Sequence, residues 1–430
     1  MLILLVNIIF SEIGGADMNK LIKKIAFSID KLFFNSKITF LHKKTKAIRN
    51  INCHHRNAYK RVLISYVTSS FYQPLEEITH SNALEMLEIL KYFIGKDYCI
   101  DVVDCLYHDF DFQEGVYDLV FGQGIPFLKA AVDKRAKKIG YLTEAYPNKT
   151  LENEKERLEY FLRRHKFGPK RNISRLFIRP NTFDYLNDEI LNMSDRLILL
   201  GNQWTFSTYP KEVRQKITFL SPTAIMNEKF TIEKKIEFKK THQGNKKVFL
   251  WFGSLGSGHK GLDIVLDAFE DLKLENIELW VFGLSHEEYK ILKRYFKRNQ
   301  NIKNLGRVRV KSEEFFNVAL NADFVIFPSC SEANSTAVLT CMAHGIIPIV
   351  TKEVGVDILD DAGFILRDYM VETVRDKIQE VIEIPPDTLL EMQIKNFTYA
   401  RSKFTLENFY LEFSRIMDGI LCENDSGGSL

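Results

Sequence analysis

Long apolar runs are absent from this 430-residue chain. The longest, Leu2–Phe10, is broken by Asn7. It falls short of the ~18–20 residues that span a bilayer, so no transmembrane helix is expected. Cysteine is scarce. The six residues, Cys53, Cys99, Cys105, Cys330, Cys341 and Cys422, contain no CxxC pair. That argues against a disulfide framework or a structural zinc site and fits a reducing cytoplasm. Cys53-His-His55 has no matching ligand pair elsewhere in the chain. Internal repeats, low-complexity tracts and a GxxxxGK[ST] phosphate loop are also missing, and no acidic metal motif of the DxD kind stands in a suitable place. What is present is ordinary globular composition, 45% hydrophobic and 27% charged, which excludes disorder over most of the chain. The length suggests two or three domains.

Acid is nearly missing from residues 18–61, which hold twelve Lys/Arg against one acid, Asp30, for a net +11. Glu12 and Asp17 make residues 1–17 −2, so the overall +3 leaves −6 on residues 62–430. The chain reads as a mildly acidic globule with a basic leader. Residues 1–17 lack a basic start and a clear small-residue cleavage site, so a signal peptide is not expected, and Met18 is the more natural beginning. From there Leu21, Ile22, Ile25, Ile29, Leu32 and Phe33 recur at helical spacing, with Lys20, Lys23, Lys24 and Lys31 between them. Such a helix can lie in a membrane interface; the alternative is a solvated arm. An anionic membrane surface is the expected partner of residues 18–61, and nucleic acid is not.

The body alternates two periodicities. Val62–Val67, Ile100–Val103, Asp118–Phe121, Lys138–Thr143, Arg196–Leu200 and Ile217–Leu220 read as strands, with a helical stripe over Ala83–Ile94. A second series follows Lys247: strands Val248–Phe252, Ile277–Phe282, Phe324–Pro328 and Ile346–Val350, with a helix at Leu262–Phe269. Strands separated by helices give βαβ units and parallel sheets. The organisation expected is a leader (1–60), an α/β domain (61–220), a Glu/Lys-rich linker (221–246), a second α/β domain (247–400) and a C-terminal helix and tail (401–430). The last helix, about Leu406–Ile420, is expected to cross back onto the first domain.

Two segments of the second half carry chemistry. In Phe252-Gly-Ser-Leu-Gly-Ser-Gly-His-Lys-Gly261 a strand runs through glycines into a helix. Glycines let the backbone approach a phosphate, and Lys260 adds a point charge for a diphosphate. In Pro328-Ser-Cys-Ser-Glu-Ala-Asn-Ser-Thr336 a strand end leads into a helix that Ser335 and Thr336 can cap, with Glu332 beyond the strand's carboxyl end. A loop carboxylate there suits sugar hydroxyls; the plainer reading is a charge favouring the helix dipole. In the first half, His80 precedes a helix, Gly122-Gln-Gly124 follows a strand, and Glu144 ends another. Arg163, Arg164, Lys166, Lys170, Arg171, Arg175 and Arg179 form a second basic run without an acid between them. It reads either as a face for a lipid diphosphate or anionic glycan, or as a solvated surface.

The Ser329–Gly345 stretch resembles the PS-x-x-E-G-x-G-x-x-x-L-E-A-M-A-x-G signature of family 4 retaining glycosyltransferases of the GT-B fold. His259–Phe269 resembles that family's KG-helix motif, about 70 residues upstream. The resemblance spans residues 62 to about 418, more loosely in the first half. It implies two Rossmann-like doubly wound parallel-sheet domains facing a central cleft. The first would take the acceptor past His80. The second would bind a nucleoside-diphosphate sugar through Gly253, Ser254, Gly258, His259, Lys260, Glu332, Asn334, Ser335, Thr336 and Thr340. Glu332 falls on the first glutamate of the family's E-x7-E pair, and Thr340 replaces the second. The family's Gly-Arg is Gly253-Ser254 here, and Ala333 and Ser335 replace its glycines.

The reading is a retaining hexosyl- or hexosaminyltransferase acting on a glycan or lipid-linked acceptor in surface polysaccharide or glycoconjugate synthesis. It would be cytoplasmic, on the inner face of a membrane. Glu332, Lys260 and His80 are the expected catalytic residues. The leaving diphosphate can itself take the acceptor proton, so no protein nucleophile, metal or cofactor is required. A nucleotide-sugar epimerase of the same fold and a degenerate nucleotide-sugar-binding scaffold are the alternatives.

Overall fold

The computed structural model of the chain describes residues 46–53, 60–72, 74, 77–165, 173–179, 182–242 and 246–422. The apolar stripe Leu21–Phe33, the basic residues up to Lys44, His54, His55, Lys166, Lys170 and Arg171 lie outside them. Two compact units are formed: Met1–Tyr141 with Asp188–Arg196, and Leu142–Asn187 with Leu197–Leu430.

The first unit holds strands β1 (Ala47–Ile51), β2 (Arg61–Tyr66), β3 (Cys99–Asp104), β4 (Leu119–Gly122) and β5 (Lys137–Leu142), in the order β1-β3-β2-β4-β5. All pair in parallel except β1, which runs antiparallel along β3. Val62, Leu63, Ile64, Val120 and Phe121 are fully buried, as expected of strands covered on both faces. Helix α1 (Ser81–Gly95) turns Ala83, Met86, Ile89 and Phe93 inward at helical spacing. Helix α2 (Gly124–Ala131) follows β4.

Two findings here differ from the sequence reading. Residues 47–51, read as part of the leader, form an edge strand, fixed by the Asn50 amide donating to Asp101 at 2.7 Å. Cys53 and Cys99 are joined as a disulfide. Their separation of 46 residues left no local spacing to reveal the pair; β1 running back along β3 brings them together. Cys105, Cys330 and Cys341 are free and buried.

The second unit contains the parallel pair β6 (Arg196–Leu200) and β7 (Ile217–Leu220) and a fully parallel six-stranded sheet. Its strands are β8 (Lys247–Phe252), β9 (Ile277–Phe282), β10 (Ile302–Asn304), β11 (Phe324–Phe327), β12 (Ile347–Thr351) and β13 (Phe364–Leu366), in the order β10-β9-β8-β11-β12-β13. The helices used below are α3 (Pro147–Arg164), α4 (Gln203–Thr208), α5 (Ile232–Thr241), α6 (Leu262–Leu272), α7 (His286–Arg298), α8 (Glu313–Asn321), α9 (Thr336–Met342) and α10 (Leu406–Cys422). The segment read as a linker contains α5. Its buried Lys235 donates to the Ala319 and Ala322 carbonyls at the end of α8 (2.9 and 2.8 Å), where helix carbonyls lack intrahelical donors. Among the described residues no helix is long and apolar enough to cross a membrane.

Helix α3 is tied to α6 by buried charge. Arg157, fully buried, donates to Asp263 at 2.8 Å, and Arg164 pairs with Asp263 and Asp267. Taking these charges from water is costly, so removing one partner hurts more than the pair helps. Asp263→Ala should therefore lower the free energy of unfolding in urea by about 3–5 kcal/mol. A loss under about 1 kcal/mol would mean that Arg157 reaches water when unpaired.

Candidate functional site

The site begins where β8 ends. The chain turns through residues 253–261 into α6, and Gly261 sits at φ +77° as its N-cap. A Cβ there would overlap the Pro328 carbonyl oxygen, so this close approach of the β8 turn to the end of β11 requires glycine. The turn's amides are largely taken up by the protein. Those of Gly256 and Ser257 donate to Glu288 Oε1 at 2.9 and 2.8 Å. Those of Gly258 and His259 donate to the Leu176 carbonyl at 3.0 and 3.1 Å. What the turn presents instead is the side chains of His259 and Lys260. Ser254 is exposed beside them, its hydroxyl 3.2 Å from Lys260 Nζ.

The β11–α9 loop faces these side chains and is fastened at several points. The Cys330 amide donates to the His259 carbonyl, the Glu332 amide to the Glu353 carbonyl, and the Ser335 amide to the Val354 carbonyl (2.9, 3.0 and 3.1 Å). Ser335 takes the N-cap position of α9, but its side chain makes no capping bond. Glu332 Oε1 lies 3.7 Å from His259 Nε2 and 4.0 Å from Lys260 Nζ. Both distances exceed a hydrogen bond. Glu332 Oε1, both ring nitrogens of His259, Asn334 Oδ1 and Ser257 Oγ are all buried without a partner. Buried polar atoms are nearly always bonded, so a cluster of orphans is the signature of a position meant for a ligand or water.

A third layer comes from residues 142–179, which pack within the same unit. Arg179 donates to Glu144 (2.6 Å) and Glu154 (2.7 Å) and reaches Ser331 Oγ at 3.4 Å. Ser331 Oγ donates to Glu154 at 3.0 Å. Burial works to raise the pKa of Glu332; Lys260, His259 and Arg179 outweigh it and bring the carboxyl down to about 2. Burial holds the His259 imidazole below its usual range, aided by Arg179 and Lys260. Burial pushes Glu144 up, against the opposing charge of Arg179. The site therefore offers a fixed anion, a neutral imidazole and an ammonium group around one position. That set can accept from hydroxyls through Glu332, exchange one hydrogen bond through His259, and neutralise an anionic group through Lys260.

Of the residues named from sequence, His259, Lys260 and Glu332 meet here, with Gly253, Ser254, Gly258, Asn334, Ser335 and Thr336 on the same two loops. Thr340 is buried in α9, and its hydroxyl accepts the Ile225 amide at 3.2 Å. His80 is exposed at the N-cap of α1, in the first unit. Sequence reading missed the placement of Arg179, Glu154 and Ser331 behind Glu332. Arg164 and Arg179, read as members of a basic run, are internal ion-pair partners.

A further buried histidine, His344, bears on stability. His344 Nε2 accepts the Asn227 amide at 3.1 Å, and burial takes its pKa down to about 3. Below pH ~6.5 the unfolded chain takes up a proton there that the folded chain does not. Stability should thus fall between pH 7 and pH 5 by up to about 2 kcal/mol from His344 alone. Urea unfolding across that range, with His344→Gln as the less pH-sensitive control, checks the sign. Equal slopes would remove His344 as the cause.

Residues 246–383, about a third of the chain, match the family of glycosyl transferases group 1. No curated protein sequence matches the chain. Among solved structures, sucrose-phosphate synthase from Thermosynechococcus elongatus aligns with TM-score 0.57 at 10% identity, over 85% of this chain and 100% of that one. Anabaena Alr3699/HepE in complex with UDP gives 0.54 at 13%, over 84% and 100%. WaaG, a glycosyltransferase involved in lipopolysaccharide biosynthesis, gives 0.50 at 12%, over 83% and 99%. The chain thus has the GT-B fold, with a glycosyl transferase group 1 domain over residues 246–383.

Proposed function

We propose that the protein transfers a sugar from a nucleoside-diphosphate sugar to a glycan or lipid-linked acceptor, with retention of configuration. The observation that carries this is the group of unpartnered buried atoms of Glu332 and His259 beside Lys260, inside the region that matches the transferase family. Support comes from HepE, solved with UDP and with UDP-glucose. In this reading Glu332 orients the transferred hexose or hexosamine, and Lys260 meets the diphosphate as it gains charge. The neutral His259 can share a hydrogen bond with a sugar hydroxyl. His80 serves the acceptor, and the leaving diphosphate takes the acceptor's proton, with no metal or cofactor involved. Thermal denaturation with a panel of nucleoside diphosphates tests the donor site. A ligand at 100 times its Kd should add about 2.7 kcal/mol of stability. No stabilisation by any member of the panel would contradict the reading.

The setting proposed is surface polysaccharide or glycoconjugate synthesis at the cytoplasmic face of a membrane, reached through the basic leader. Attraction to anionic lipid is worth ~1 kcal/mol per basic residue near the surface. Because β1 and Cys53 belong to the first unit, the truncation that tests this should begin at Lys46. The full chain should co-sediment with phosphatidylglycerol vesicles at low salt and be released at high salt, and the truncated chain should stay in solution. Equal sedimentation would remove the membrane role, and stronger retention on nucleic acid than on vesicles would reassign the leader.

A further inference from the structure

A cavity of about 290 Å³ opens at the carboxyl ends of β6, β7 and β12, within the second unit. Its walls include Asn202, Phe219, Ser221, Gly355, Asp357 and Lys403. No role in donor binding falls to these residues. We propose that the cavity is a saccharide subsite that holds one sugar ring of the acceptor.

The polar groups are arranged for hydroxyls. Asp357 stands between two donors: Asn202 Nδ2 reaches one carboxylate oxygen at 3.2 Å, and Lys403 Nζ reaches the other at 3.2 Å. Each carboxylate oxygen retains a free lone pair for a hydroxyl, and the Ser221 hydroxyl can both donate and accept. Phe219, 36% exposed, presents an apolar ring at the edge of the same cavity, backed by Phe206 at 5.2 Å between ring centroids. An apolar face with a few fixed polar groups is how small-molecule sites orient a ring. The paired Asp357 and Lys403 cancel in charge, so the cavity has no positive field for a phosphate. A neutral, hydroxyl-rich ring fits this balance better than a second nucleotide.

The cavity is also in fixed register with Glu332. Gly355 lies at φ +70°, and a Cβ there would overlap the Ala333 carbonyl oxygen. Thr205 at the start of α4 donates to that same carbonyl at 2.7 Å. Residues 353 and 354, just before Gly355, accept the amides of Glu332 and Ser335. The wall of the cavity and the loop bearing Glu332 are thus one hydrogen-bonded unit. A ring seated against Gly355 is held one loop away from the proposed donor sugar, the place for the unit of an acceptor that is not itself glycosylated.

This inference rests on the transferase reading but is measured separately from it. Saturation-transfer NMR on the full chain, with methyl glycosides of glucose, galactose and N-acetylglucosamine as probes, should show contact with at least one. Asp357→Ala and Phe219→Ala should each reduce that signal about tenfold. Nucleoside diphosphate binding should be unchanged in both. Phe219 is on the surface, so its variant keeps the test usable if loss of Asp357 disturbs the fold. Glycoside signals that persist in both variants, or are absent from the wild type, would overturn the subsite. Nucleoside diphosphates that fail to bind the wild type would instead overturn the transferase reading.

Discussion

Replacing Lys260 by alanine should lower kcat by about 10²–10³-fold and weaken binding of free nucleoside diphosphate. The Lys260 side chain is 14% exposed, and its ammonium group lies 3.2 Å from Ser254 Oγ and 4.0 Å from Glu332 Oε1, with no acid in hydrogen-bond contact among the described residues. It is therefore available to a diphosphate that gains charge as the glycosidic bond breaks. The variant should also change the pH profile. Lys260 exerts the largest single charge effect among those that hold Glu332 near pKa 2. Without it the carboxyl moves back up, and activity should acquire an acid limb that the wild type lacks. Lys260→Arg, which keeps the charge, should restore the flat profile more than it restores kcat, because the planar guanidinium differs in shape. Nucleoside diphosphate affinity equal to wild type in Lys260→Ala would show that the lysine does not touch the ligand.

Glu332→Gln should lower turnover by about 10²-fold at saturating donor while the fold stays intact. The amide keeps the size of the carboxyl but loses the charge and half of its accepting capacity. Oε1 has no partner in the protein, so the fold forfeits no hydrogen bond through it. His259 loses the carboxylate that favours its protonation, and its pKa should fall further below the usual imidazole range. The loss of rate should therefore come from the sugar and not from misfolding, which far-ultraviolet circular dichroism and the melting temperature would establish. A variant that turns over at the wild-type rate with saturating donor removes Glu332 from the reaction.

Much of the fold was legible because parallel strands buried on both faces read as continuous apolar runs. Arg196–Leu200 and Ile277–Phe282 match the structure residue for residue, and so does Ile217–Leu220, although its Thr218 and Phe219 are exposed. The strands that escaped notice were short or poor in apolar residues. Ile302–Asn304 and Phe364–Leu366 have three residues each, and Ala47–Ile51 alternates with Arg49 and Asn50 inside a basic stretch. These are strands by virtue of their neighbours.

The site divides in the same way. His259, Lys260 and Glu332 could be found because each lies on a local pattern, a strand running into a turn and a helix. Arg179 could not, because it meets Ser331 across 152 residues. Its own neighbourhood is uniformly basic, and only the fold supplies Glu144 and Glu154. Thr340 shows the opposite case. The resemblance put it in the place of the family's second glutamate, among the donor-binding residues, whereas its hydroxyl accepts the Ile225 amide. The glycine-rich turn was expected to offer amides to a phosphate, but Glu288 and the Leu176 carbonyl accept them. A pattern indicates where a loop is, and long-range partners determine what it presents.

The central claim is that sugar leaves the nucleotide only when an acceptor receives it. It is tested by measuring nucleoside diphosphate release from the stabilising nucleotide sugar, with and without a fractionated glycan and lipid-linked acceptor pool, and by reading the anomeric configuration of the product by NMR. Release should depend on acceptor, the product should keep the donor's configuration, and both should be lost in Glu332→Gln. Binding without release in any acceptor fraction, or a product of inverted configuration, would contradict it.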